Sequence, residues 1–256
     1  MNACWRFFKA PRVPVEDRIF VCPRGVDTAT FTPDHKSIEM RQRLLELAAV
    51  PDNSVLLLYA GRISPEKNVG LLLETMRILA QDATDFRLLI AGDGPKSDWL
   101  QAQTDKFIPG KIIQLGHLPK DELASYYANA DVFVHPNPKE PFGIAPLEAM
   151  ASGVPTVAPN GGGILSYATG ENAWLVEPTA EKFAEAIREV VAEPESTAEK
   201  VRRALKTARA NTREASTDNL LATYDRIYDD FCSRNELFTD IDAVKEFDFM
   251  ELVKIA

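Results

Sequence analysis

The chain has 256 residues, 45% hydrophobic and 26% charged, with a net charge of −9. That is the make-up of a globular chain of one large domain or two small ones, and the acidic balance argues against a general nucleic-acid binder. Cys4, Cys22 and Cys232 have neither metal-ligand spacing nor an even framework, and no apolar run approaches the ~18 residues of a membrane span, so the expectation is a cytoplasmic protein.

Residues 1–17 read as an arm or linker remnant. Trp5, Arg6, Phe7, Phe8 and Lys9 lie there without the apolar region or cleavage site of a signal peptide. Residues 18–21 suit a short strand, Pro23 to Asp27 a turn, and residues 36–50 a helix. Val55–Ala60 is a continuous apolar run of strand length, as in strands buried on both faces of a parallel sheet. Helices are expected over 66–81, 96–107 and 120–129, each followed by a strand, over 86–91, 111–115 and 131–135. A helix over 144–152 leads to a strand over 154–158. A short helix at 164–168, a strand at 173–176 and three helices to about Cys232 complete the series. Such alternation predicts an α/β fold, a Rossmann-like doubly wound parallel sheet of about six strands over residues 18–232. Residues 233–256 read as an acidic tail with at most one amphipathic helix. No solenoid repeat or low-complexity tract interrupts the pattern.

The stretch His135 to Ala158, HPNPKEPFGIAPLEAMASGVPTVA, organises the chain. Pro146 is tolerated only in a first helical turn, so the helix must begin between residues 142 and 145, with Gly153 as its stop. The amides of Gly143, Ile144 and Ala145 then lack partners within the helix and, with its dipole, favour an anion. Glu140 falls in the loop before this tip. Glu148 falls about a turn inside it and leans back towards the same place. An acid on each side of a phosphate site suits a ligand with phosphates and sugar hydroxyls. The bland alternative is an ordinary buried amphipathic helix with an acid at its start.

In doubly wound sheets ligands collect at the carboxyl ends of the strands. Those ends carry Gly61-Arg62 with Lys67, Gly92-Asp93-Gly94-Pro95, Gly116-His117-Leu118-Pro119, the Glu140 loop, and Asn160-Gly161-Gly162-Gly163. Arg62 offers a planar fork for phosphate oxygens and Lys67 a point charge, each worth roughly 4 kcal/mol gross at about 4 Å and an effective dielectric of about 20. Each feature has a plain reading too. Either cation alone is an ordinary surface charge, and Gly92-Asp93-Gly94 reads as a tight turn, since the third glycine of a dinucleotide fingerprint is missing. His117 and His135 read as hydrogen-bonded strand-end residues, and the triple glycine as a turn. Asp240 and Asp242 sit in a polar tail and are set aside as metal ligands.

Taken in order, Pro23-x-Gly25-Val26-Asp27, Gly61-Arg62 with Lys67, Ala91-Gly92-Asp93-Gly94-Pro95, Gly116-His117-Leu118, and Glu140-x-Phe142-Gly143 through Glu148-Ala149-Met150-Ala151 resemble the donor-binding, C-terminal half of retaining GT-B glycosyltransferases. The resemblance spans residues 18–232. It implies that Arg62, Lys67 and the amides of Phe142, Gly143 and Ile144, beside Gly61, hold the diphosphate of a UDP- or GDP-linked sugar without a metal or other cofactor. It also implies that Glu140 meets the transferred sugar, Glu148 the ribose, and His117, Leu118 and Lys120 the base. Asn137 stands where the family often has serine. The amino-terminal acceptor domain of the family has no counterpart here, so it is expected as a missing part or a separate chain, with peripheral membrane association left open. Two other readings remain beside the glycosyltransferase half: a non-catalytic nucleotide-sugar-binding module, and a sugar-nucleotide epimerase on a related fold. A phosphorylase would need a pyridoxal lysine, for which there is no signature.

Overall fold

The computed structural model describes residues 20–233. These fall into two compact units: residues 24–215, and a smaller one that takes in 20–23 and 216–233. In the smaller unit, the Arg226 guanidinium lies 5.2 Å from the centre of the Phe20 ring, and the Ser216 hydroxyl donates to the Pro23 carbonyl. Phe20 and Val21 are not in a strand, contrary to expectation. The arm at 1–17, Asp240, Asp242 and the tail beyond Ser233 lie outside the described residues.

The larger unit holds a six-stranded parallel sheet in the order β3-β2-β1-β4-β5-β6. The strands are β1 Val55–Ala60, β2 Phe86–Ala91, β3 Ile112–Gly116, β4 Val132–Val134, β5 Thr156–Pro159 and β6 Trp174–Val176. Every residue of β1 is buried, because helices cover both faces. The two-residue period of the strand sorts its side chains. Leu56 and Leu58 join the core packed by α1 (Ile38–Leu47), α4 (Lys120–Asn129), α5 (Ile144–Ala151) and α7 (Pro194–Ala210), whereas Val55, Leu57 and Tyr59 join that packed by α2 (Val69–Leu79), α3 (Ser97–Phe107) and α6 (Ala180–Ala192). A last helix, α8, spans Arg213–Ser233.

Local sequence signals mark some of the helix ends. Ser37 caps α1 by accepting from the Met40 amide, and Thr179 caps α6 by accepting from that of Lys182. Gly153, with φ 74°, takes the chain out of α5. Two of the expected helices depart from expectation. The helix predicted over 66–81 is broken: Pro65–Lys67 form a 3-10 turn, Asn68 adopts the left-handed conformation at φ 56°, and α2 starts at Val69. Asn68 tolerates that conformation better than most residues, and its side-chain amide donates to the Pro136 carbonyl at 3.0 Å. The short helix expected at 164–168 is a 3-10 turn at Gly163–Ser166.

The turn expected over Pro23 to Asp27 falls later, at residues 28–30, because Val26 is extended and pairs with Thr212 in an isolated parallel bridge. The Asp27 carboxylate accepts from the amides of Ala29 and Thr30, each at 3.2 Å.

Candidate functional site

The sheet reverses its winding between β1 and β4, where β2 and β3 lie to one side and β5 and β6 to the other. At such a switch point the loops leaving the strands diverge and open a crevice at their carboxyl ends. A cavity of about 400 Å³ lies there, a volume suited to a small ligand. Gly61 and Arg62 line it from the end of β1, Gly92 and Asp93 from β2, His117 and Leu118 from β3, and Ala145 and Glu148 from α5. The glycines let these ends approach. Gly61 and Gly92 have φ of 154° and 149°, and a Cβ on Gly92 would run into the Gly61 carbonyl.

Beside the cavity stands a second group. The break at Asn68 leaves Lys67 outside α2, and its Nζ donates to Glu140 Oε2 at 2.7 Å. Asn137, almost fully buried, donates to the same oxygen at 3.0 Å. Burial pushes the Glu140 carboxyl up, but these two donors and the Lys67 charge together bring it below its ordinary value. The loop bearing Glu140 rests on the glycine turn. The Gly163 amide donates to the Glu140 carbonyl at 2.7 Å, and a Cβ on Gly163 would collide with the Pro141 carbonyl. The triple glycine is therefore a seat for this loop as well as a turn.

Helix α5 begins after Gly143, with φ 89°, and no side chain caps its first amides. Tyr167 fixes this start: its hydroxyl donates to the Gly143 carbonyl and its ring packs on Phe142 at 5.2 Å between centres. Glu148 is held differently from Glu140. Burial raises its pKa, opposed by the Tyr127 hydroxyl, which donates to Oε2 at 3.2 Å, and by the charge of Lys120. The two acids are thus displaced in opposite directions by their surroundings.

Of the residues singled out in the sequence, Gly61, Arg62, His117, Leu118 and Glu148 line one cavity, while Lys67 and Glu140 pair with each other beside it. Phe142, Gly143 and Ile144 lead into Ala145, which reaches the cavity wall. Lys120 does not line it. Its Nζ is held by Asp27 Oδ2 at 2.5 Å. Sequence reasoning overlooked Tyr127, Asn68 and the Asp27 pairing, for which no local pattern gives a signal. His135 also differs from expectation: neither of its buried ring nitrogens makes a well-formed hydrogen bond. Among the described residues, no group of three or more His, Cys, Asp or Glu side chains is placed to hold a metal ion, and no helix is long and apolar enough to cross a membrane.

Comparison with known proteins is consistent with this geometry. The family model described as Glycosyl transferases group 1 matches residues 41–210. A GDP-mannose-dependent alpha-(1-6)-phosphatidylinositol dimannoside mannosyltransferase of Mycobacterium tuberculosis is 33% identical over 175 residues, covering 68% of this chain and 44% of that protein. A glycosyltransferase structure from Rickettsia africae superposes with a TM-score of 0.74 at 22% identity, over 83% of this chain and 58% of that one. The C-terminal domain of a glycosyl transferase group 1 family protein (LpcC) from Francisella tularensis superposes with a TM-score of 0.63 at 22% identity, over 73% of this chain and 97% of that domain. The chain spans under half the length of the curated relatives it matches.

Proposed function

Because the chain belongs to the Glycosyl transferases group 1 family, we infer that it is the donor-binding half of a retaining glycosyltransferase and takes a nucleoside diphosphate sugar, UDP- or GDP-linked. The observation that carries this reading is the shared cavity at the switch point, into which Arg62 and Glu148 project beside the start of α5 and the Lys67–Glu140 pair. Arg62, Lys67 and the first amides of α5 hold the diphosphate, so the charge that a metal would otherwise offset is met by the protein. Glu148 takes the ribose hydroxyls, Glu140 the hydroxyls of the transferred sugar, and His117 and Leu118 the base.

In the transfer, the bond from the anomeric carbon to the diphosphate oxygen breaks and the acceptor oxygen bonds to that carbon from the same face. The acceptor proton passes to the leaving diphosphate. The task of this half is to stabilise the departing charge and hold the sugar in register. The acceptor wall comes from a second domain, in the same protein or a separate chain. The mannosyltransferase relative is named for GDP-mannose, which favours a guanine nucleotide among the candidates.

A second reading is a non-catalytic nucleotide-sugar-binding module, which would bind the donor in the same cavity without transfer. Calorimetric titration with UDP-, GDP- and ADP-linked sugars tests both. Binding of one class by residues shown to need Arg62 and Glu148 supports the site, and absence of binding by all three overturns it. Epimerisation of the bound sugar would replace transfer as the activity.

A further inference from the structure

His135 follows β4 and is only 4% exposed, yet neither Nδ1 nor Nε2 makes a well-formed hydrogen bond, the Asn137 main chain being the one hydrogen-bonding group that acts on the ring. A polar ring buried in that state is costly, and unpartnered buried groups of this kind are rare in native proteins. Burial pushes its pKa down to about 4, so the ring is neutral and carries one N–H donor and one acceptor. Three groups act on it: Glu140 from the following loop, Lys67 from the turn after β1, and the main chain of Asn137. Glu140 favours a proton on the ring and Lys67 opposes one.

The Lys67–Glu140 pair sets up a conflict that this ring can resolve. Both donors to Glu140 meet Oε2, and Oε1 takes neither. If Lys67 turns to a bound diphosphate, Glu140 loses its cation and keeps only the Asn137 amide, in a half-buried position where an under-partnered carboxylate is expensive. We propose that His135 is a positioning residue that takes over the Glu140 carboxylate when Lys67 turns to the diphosphate, keeping that acid ionised and directed at the transferred sugar. The inference rests on the donor-site reading given above. Departure of the Lys67 charge and arrival of the anion both favour a proton on His135, so donor binding raises its affinity for protons.

The test is nitrogen NMR of the 15N-histidine-labelled chain, free and saturated with UDP or GDP, with the His135 signals identified by their loss in His135→Gln. The expected result is that ligand fixes one ring tautomer, shifts the donor nitrogen to a hydrogen-bonded position and raises the titration midpoint. Unchanged His135 signals in the bound chain overturn the proposal. A second readout is the preference for the nucleotide sugar over its nucleoside diphosphate. His135→Leu should lose about tenfold of that preference while binding the diphosphate within about twofold of wild type, and His135→Gln, which keeps a donor, should retain it. An equal loss for both ligands, or full preference in His135→Leu, also overturns it. If neither UDP nor GDP binds, or Arg62→Ala binds them unchanged, the donor-site reading itself falls and this inference with it. If binding depends on Arg62 and Lys67 while His135 stays silent, only this inference falls.

Discussion

Lys67 Nζ lies 2.7 Å from Glu140 Oε2, joining the turn that follows β1 to the loop that follows β4 across the point where the sheet reverses. Both side chains are less than a third exposed, so the pair is screened less than a surface ion pair. It holds together the two residues proposed to meet the diphosphate and the sugar. On the proposed donor-site reading, ligand binding redistributes their bonds.

The phosphate assignment leads to a first expectation. Arg62→Ala and Lys67→Ala should each weaken nucleoside diphosphate binding by roughly 1–3 kcal/mol, the range for hydrogen bonds to charged groups. A chelator should leave wild-type affinity unchanged. Titration calorimetry reads both, and chelator-sensitive binding that ignores the two substitutions would remove the assignment.

Glu148 gives an expectation in which stability and binding part company. Burial raises its pKa, so its contribution to stability is full below the ordinary carboxylate range and declines as pH rises through the raised value. Glu148→Gln removes the buried charge and keeps an acceptor for the Tyr127 hydroxyl. The variant should melt at or above the wild-type temperature at pH 8, with the gap closing towards pH 4, and should bind nucleosides that retain the ribose more weakly. A variant less stable at pH 8 and unaltered in nucleoside binding would contradict both roles.

The glycine seat separates local strain from general tolerance. Gly163→Ala places a Cβ against the Pro141 carbonyl and the Phe142 amide, whereas nothing lies near a Cβ on Gly170. Overpacking of this kind costs about 1–3 kcal/mol. Denaturant unfolding should show that loss for Gly163→Ala and little change for Gly170→Ala, and donor affinity should fall only in the first. Equal behaviour of the two would show that the Glu140 loop does not depend on its seat.

Asp27 is the acid-sensitive contact. The Lys120 hydrogen bond, aided by the Thr30 amide and hydroxyl, holds its carboxyl at about 2 against an ordinary 3.8. Because the folded value is depressed, its stabilising contribution is complete above pH ~4 and is lost as pH falls through about 2. Asp27→Asn should therefore be less stable than wild type at pH 7, with the difference shrinking as the pH approaches 2. A difference that is constant from pH 7 to 2 would assign the effect to packing.

The alternation of strands and helices into a parallel sheet was legible because the apolar run of β1 and the pattern around it have few other solutions, and because glycines and cations stand where strands end; the order of the strands in the sheet was not. Helix α5 could be placed from Pro146 and Gly153 alone, since each residue excludes the helix interior or its continuation. What escaped was tertiary. The break at Asn68 is stabilised by the Pro136 carbonyl, distant in sequence, and Lys120 is drawn to Asp27, next to the Val26 bridge to Thr212. The setting of the His135 ring depends on Lys67, from the turn after β1, as well as on its own loop, and no spacing in the sequence encodes that.

The last expectation concerns activity. This chain should bind a nucleotide sugar and transfer it poorly by itself. Orientation of two reactants can supply roughly 7–11 kcal/mol of barrier reduction, but only when both are held in line and water is excluded. The described residues build one wall of such a cleft, with Arg62 exposed at its rim. A donor held against that wall meets water more readily than an acceptor alcohol, so the purified chain should show slow hydrolysis at most. Adding an amino-terminal half from a group 1 relative should raise transfer to acceptor over hydrolysis. A labelled donor, mixed acceptors and product separation measure the two rates, with and without the added half. Efficient transfer by the monomeric chain alone would show that its own residues complete the acceptor site, and the half-enzyme reading would have to be given up.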